Sequence, residues 1–289
     1  EANENVKFLA PLKPHLDRLA NADEFESLDK TFVLIMHSIL LIWKHSQHYN
    51  TPPRLVVLMR EICNDLIAQA RAFVSPDQLF EIEAQEAVER LMITLKVCGT
   101  FKSVYFDYKS RANNEVPHNP WRIQNTALFP RLDSFLERCH DLLDLVKTVV
   151  QFQKLGKIEI GGNKGRTLSA SVYQIHNDFT NVLTAFAKVP YDVLDVEVKQ
   201  FDDDFYEFRC KIKELERRLR DNDWTEAQLE IIHMFSAAGG HCKASPKHDL
   251  REQGGLIVGL VAAVYHYRNH TPDRTALDSK SSCSTAQNS

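Results

Sequence analysis

The chain has 289 residues, 44% of them hydrophobic and 26% charged, a composition able to bury the core of one or two domains. Its formal net charge of −4 excludes the global basic field of a nucleic-acid binder. The six cysteines (Cys63, Cys98, Cys139, Cys210, Cys242 and Cys283) form no C-x-x-C pair, so their pattern excludes a disulfide framework or zinc ribbon and fits reduced, intracellular thiols.

The opening "EANENVKFLAPLKPHLDRLA" lacks the continuous apolar stretch of a signal peptide, and it lacks an initiator Met, which fits a fragment. Leu28, Phe32, Ile35, Ile39 and Ile42 recur at steps of four and three, the spacing of one helix face. The run Thr31–Trp43 is interrupted by His37 and Ser38, and a membrane span takes about 20 apolar residues, so a buried helix is expected. "NTPPRLVVL" offers Thr51 as an N-cap with Pro52 at the first helical position. "VSPDQLFEIE" places Ser75, Pro76 and Gln78 as a capping-box start for the next helix. Over 79–108, Leu91, Leu95, Cys98 and Tyr105 keep a similar register.

Leu128, Leu132, Phe135, Cys139, Leu142, Val146 and Val149 predict one long helix over about 121–155. Gly156 is expected to end it in a left-handed conformation, with "KIEI" as a short extended segment beyond. A further helix over about 167–188 carries Leu168, Val172, Ile175, Phe179, Val182 and Phe186. Another carries Phe201, Phe205, Phe208, Ile212, Leu215 and Leu219. Asp202, Asp203 and Asp204 stand at its start, where carboxylates complement the positive end of the helix dipole. The expected architecture is all-α, an elongated bundle of long antiparallel helices joined by short turns.

From about residue 221 the character changes. Glycines gather in "AAGGHCKASPKHDLREQGG", and the polar end "RNHTPDRTALDSKSSCSTAQNS" is read as disordered. "WTEAQLEIIHMF" offers one more helix with Thr225 as a cap, and "LIVGLVAAVY" (256–265) is too short to span a membrane. The expected division is a helical region at 1–220 and a divergent, partly disordered segment at 221–289.

No motif carries catalysis. In "IEIGGNKGRT" (158–167) the glycines at 161, 162 and 165 fit neither a Walker A loop nor a dinucleotide fingerprint, so a turn is the expected role. An enzyme using this loop would require an anion at Gly161–Gly165. His45 and His48 are too few for a zinc site, and His241, Cys242 and His248 match no zinc spacing. His37 is read as a core-edge residue. The triple Asp projects in different directions from a helix, which disfavours a metal site. In "KIKELERRLRD", Glu214–Arg218 and Glu216–Arg220 are spaced for i,i+4 pairs on a solvated face. Trp43, Tyr49, Tyr105, Phe106, Tyr108 and Trp121 are expected mainly in core packing. Catalytic, cofactor-binding and metal residues are therefore none, and partner-binding residues are unknown.

Ordered words along the chain carry a resemblance: "NVKFL" (5–9), "LIWKHSQHYNTPPRLVVLMREICNDLI" (41–67), "LFEIEAQEAVERL" (79–91), "FKSVYFDYK" (101–109) and "LFPRLDSFLERCHDLLDL" (128–145). They continue as "FQKLGKIEIGGNKG" (152–165), "YDVLDVEVKQFDDDFYEF" (191–208) and "ELERRL" (214–219). Over roughly 1–219 the chain resembles the N-terminal tail region of dynein heavy chains, most nearly the axonemal, ciliary outer-arm kind. The resemblance implies a non-catalytic tail or stem segment in an assembly role in microtubule-based ciliary movement. Its implied partners are dynein intermediate and light chains and other heavy chains, with microtubules reached only indirectly and no nucleic acid or membrane. It implies no cofactor, because the family's P-loops, AAA modules and microtubule-binding stalk are absent, and it places the chain in the cytoplasm and cytoskeleton, at the ciliary axoneme. It also implies that "EIGGNKG" is an interhelical turn. The alternative is a generic helical scaffold or adaptor unrelated to dynein. After Leu219 the family pattern stops; an alternative terminus, a read-through and a gene-model artefact each fit that change. The partner surface is expected on outer helix faces between 24 and 155, combining exposed aromatics with mixed charge.

Overall fold

The computed structural model of the chain describes residues 2–21, 24–157 and 163–222, and every regular element among them is helical. The chain starts with a short α1 (Ala2–Glu4) and a π-helical turn (Asn5–Leu9) leading into α2 (Ala10–Ala20). Pro11 and Pro14 supply no N–H to the carbonyls of Lys7 and Ala10, and the wider π turn lies immediately before them. Then come α3 (Asp29–His45), α4 (Pro52–Val74) and α5 (Ala84–Glu115). At 1.5 Å per residue, the 32 residues of α5 make a rod of about 48 Å. The short α6 (Asn125–Leu128) precedes α7 (Pro130–Gln153), α8 (Asn163–Ala187) and α9 (Gln200–Asp221).

α5 is the spine of the bundle and packs against α3, α4 and α7, while α2 packs on α3 and α4. α8 pairs chiefly with α9 and touches α7. The expected stripes are the buried ones on α3, α7 and α9. Two positions differ: Leu95 and Val182 are only half-buried, and Thr94 takes the core position beside Leu95.

One aromatic cluster fills the core where α3, α5 and the 116–124 connection meet. Trp43 stacks on Trp121 with ring centroids 5.8 Å apart, Tyr105 meets Trp121 edge-on at 5.8 Å, and Phe129 lies 5.0 Å from Tyr105. Such pairs contribute about 0.5–1.5 kcal/mol each beyond the area they bury. Trp43 Nε1 donates to the Asn119 carbonyl at 2.8 Å, and the Trp121 backbone N–H donates to Asn113 Oδ1 at 2.6 Å. The connection after α5 therefore folds inward, with Val116, Trp121 and Ile123 all buried.

Local details correct several expectations. Ser75 does not start a helix. It ends α4 with φ 55°, its N–H bonds the Arg71 carbonyl at 2.9 Å, and its hydroxyl donates to the Ala72 carbonyl at 3.1 Å. Pro76–Gln78 form only a 3-10 turn, and α5 begins at Ala84. Thr51 does stand just before α4, but its side chain makes no capping bond. The long helix expected from about 121 begins at Pro130, because proline disfavours α geometry in the residue before it, and Phe129 has φ −106° and ψ 8°. Gly156 lies within the 3-10 turn Leu155–Lys157, not in the left-handed region. Its need for glycine is spatial: a Cβ there would stand 3.0 Å from His176 Nε2.

The expected pairs on α9 are also replaced. Glu214 binds Arg217 at 2.7 Å, Arg218 reaches across to Asp178 of α8 at 2.7 Å, and Arg220 Nε donates to the Glu216 carbonyl at 3.4 Å. α8 starts four residues earlier than expected, at Asn163. Of the stretch 158–167 expected as a turn, residues 163–167 belong to α8, while 158–162, the "KIEI" segment beyond Lys157 and the segment 223–289, with His241, Cys242 and His248, lie outside the described residues.

Candidate interaction surface

Among the described residues, no group of His, Cys, Asp and Glu is placed to hold a metal ion. His45 is exposed at the end of α3, and His48 lies beyond it in the loop, so the two do not share a helix face. His37 is exposed and meets Tyr108 edge-on at 6.4 Å. The Asp triplet is dispersed. Asp202 accepts from Arg138 at 3.3 Å, Asp204 accepts from Tyr191 Oη at 2.6 Å, and Asp203 is exposed. Cys63, Cys98 and Cys139 are free and buried; burial pushes Cys63 and Cys98 up to about 12 and raises Cys139 as well, so these thiols are unreactive packing groups.

Arg138 was not singled out by its sequence context. It lies on the buried face of α7, with Nη1 donating to the carbonyls of Val193 and Asp195 at 3.3 and 3.2 Å. Nη2 donates to the Val198 carbonyl at 3.4 Å and to Asp202 Oδ1 at 3.3 Å, and the guanidinium lies 3.7 Å over the Phe201 ring. Burial pulls this group below its ordinary value, opposed by Asp202. Its arrangement fastens the α8–α9 connection to α7.

What remains for interaction is the outer surface. Within 24–155 the exposed large apolar residues are Val33, Leu34 and Leu41 of α3, Val57 of α4, and Met92 and Phe106 of α5. Most of the aromatic cluster is internal, so aliphatic side chains dominate this surface. Val6, Tyr173 and Tyr206 are exposed outside that span.

The most elaborated part of the surface joins the N-terminal segment to the α3–α4 loop. The Glu4 carboxylate accepts from Ser46 Oγ at 2.6 Å, from the Gln47 N–H at 2.9 Å and from the His48 N–H at 3.0 Å. The Ser46 hydroxyl bond, followed by the Gln47 N–H, lowers Glu4 from 4.5 to about 2. Asn5 accepts from Tyr49 Oη, and Arg54 donates to the His48 carbonyl while lying 5.7 Å over the Tyr49 ring. Beside this clasp is a groove of about 570 Å³, walled mainly by Leu9, Ile42, Tyr49, Leu55, Val57 and Leu58.

The described residues thus form an all-helical bundle with buried thiols and aliphatic side chains exposed on its outer surface. Residues 1–231 match the sequence profile of "Dynein heavy chain, N-terminal region 1", and the chain belongs to that family. It is 54% identical over 219 residues to the flagellar outer-arm dynein beta chain of Chlamydomonas reinhardtii, covering 76% of this chain and 5% of that protein. It is 36% identical over 214 residues to the ciliary dynein beta chain of Tripneustes gratilla, covering 72% of this chain and 5% of that one. It is 36% identical over 251 residues to dynein axonemal heavy chain 17 of Mus musculus, covering 81% and 6% respectively. The chain thus spans about one-twentieth of the length of these relatives. Membership removes the alternative of a helical scaffold unrelated to dynein.

Proposed function

We propose that this chain is a non-catalytic tail segment of an axonemal dynein heavy chain, serving motor-complex assembly through contacts with another heavy chain and with intermediate and light chains. The observation that carries this reading is the 54% identity over 219 residues with a flagellar outer-arm beta chain. The exposed aliphatic positions and the N-terminal groove support it physically, because apolar surface edged by charge is the anatomy of a protein interface. On this reading residues 1–220 form the tail bundle and 221–289 a divergent segment. The chain resides in the cytoplasm and cytoskeleton, at the ciliary axoneme, and reaches microtubules only through the assembled motor. It hydrolyses no nucleotide itself.

The test is co-purification of the full chain with an axonemal dynein intermediate chain, or with the N-terminal region of a second axonemal heavy chain, followed by sizing. A stable complex of defined stoichiometry is expected. A folded, helical chain that captures neither subunit would overturn the assembly reading.

A further inference from the structure

We infer that the N-terminal groove is a docking site for one amphipathic helix of another dynein subunit, carrying a carboxylate, apolar residues and a basic residue in that order along one face. This rests on the assembly reading and specifies its partner.

The argument begins with α4. Arg54, Val57, Leu58 and Glu61 lie at i, i+3, i+4 and i+7, so they share one helix face, and all of them line the groove. The face reads positive, apolar, apolar, negative over about 10 Å of helix at 1.5 Å per residue. Arg54 makes its hydrogen bond to a backbone carbonyl and rests over Tyr49, with no carboxylate partner among the described residues. Glu61 accepts only a long bond of 3.4 Å from Asn64 Nδ2 and has no basic partner among them. Two opposite charges thus have no counter-ion among the described residues, one at each end of an apolar strip.

The strip is open to solvent: Val57 is 60% exposed, and Val6, one turn before the wall residue Leu9, is 73% exposed. The floor is firm, because Ile42 and Leu55 are each 1% exposed. The lip is fixed by the three bonds that Glu4 accepts from Ser46, Gln47 and His48. A preformed apolar trough with charged ends suits a helix laid along it, the partner's carboxylate meeting Arg54 and its Lys or Arg meeting Glu61. A second copy of this surface would satisfy the charges in antiparallel pairing. It would not fill the trough, since two concave surfaces meet only at their rims.

The experiment uses the full chain and whichever dynein subunit it co-purifies with. Binding is measured for the unmodified chain and for Val57→Asp, Arg54→Glu and Glu61→Arg, with circular dichroism to check the fold. Val57→Asp is expected to weaken binding about tenfold or more, and each charge reversal several-fold with a reduced salt dependence. Arg54 and Glu61 sit on the outer surface, so the charge reversals keep the test decisive even if Val57→Asp unfolds. Unchanged binding by all folded variants would overturn the groove while leaving the assembly reading intact. An unmodified chain that binds no dynein subunit would overturn the assembly reading, and the groove with it. Variants that abolish only self-association on sizing would overturn the proposal in favour of a second copy.

Discussion

The bundle around α5 and the α8–α9 pair bury apolar side chains by different means. On α9 the buried positions are Phe201, Phe205, Phe208, Ile212, Leu215 and Leu219, a single seam at alternating steps of four and three. A seam that narrow fits one neighbour, and α9 has essentially one in α8. On α7 the buried set widens to include Arg138 beside Cys139, Leu143 beside Leu142, and Leu145 beside Val146. That broader surface meets α4 and α5 and also touches α8. The width of the apolar stripe, not its period, therefore encodes how many neighbours a helix has. A consequence is unequal robustness: the bundle is cross-braced through α5, whereas the α8–α9 pair joins it through fewer ties, the Phe152–Phe179 stack at 4.4 Å, the Arg71–Asp192 ion pair and the Arg138 fastening.

The strongest way to break this comparison is to strike both regions and ask how far the damage spreads. Trp43→Ala removes the residue stacked on Trp121 and leaves the Asn119 carbonyl without its donor. It should cost about 3–5 kcal/mol and destabilise α3, α5 and α7 together. Leu215→Ala, in the single seam, should cost roughly 2–5 kcal/mol but lower amide protection mainly in α8 and α9. Hydrogen exchange resolved by helix is the measurement. Equal loss of protection in both regions for both variants would show one cooperative unit and dissolve the distinction.

A smaller effect sharpens it. Arg138→Leu puts an apolar side chain in its place but leaves the carbonyls of Val193 and Val198 without their donor, while Asp195 keeps only the Val198 N–H at 3.2 Å. A cost of about 3 kcal/mol is expected, since each buried unpaired carbonyl costs about 1–3 kcal/mol and water recovers part of it. The melting curve should separate into an early α8–α9 transition and a later bundle transition. A single, unshifted transition would mean that the guanidinium is not what fastens the pair.

The sequence made the all-α class and most buried stripes legible, because helical burial writes a period of three and four into the chain. It was less informative wherever two residue roles share one residue pattern. Ser75–Pro76 reads as a helix start, yet Ser75 closes the last turn of α4 through bonds to the Arg71 and Ala72 carbonyls, with a strained left-handed backbone. Gly156 looked like a left-handed cap, but its value lies in leaving room for His176, a contact between distant segments. Arg138 sits in a charged-looking stretch, and only the carbonyls of a connection about 55–60 residues later reveal why it is buried. The groove was equally hidden. Its walls come from the N-terminal segment, α3 and α4, and no local pattern records their meeting.

The smallest predicted effect concerns the clasp beside that groove. Glu4 is lowered from 4.5 to about 2, so the carboxylate's contribution to holding the N-terminal segment is complete above about pH 4.5 and is lost as pH falls toward 2. The change should be local, because the partners are Ser46 and the backbone N–H groups of Gln47 and His48, at the edge of the bundle. The amide proton shifts of Gln47 and His48 should titrate together with a midpoint near 2. Glu4→Gln should flatten that titration and move the melting temperature little. A midpoint near 4.5 would show a freely solvated carboxylate, and the lip of the groove would then need another support.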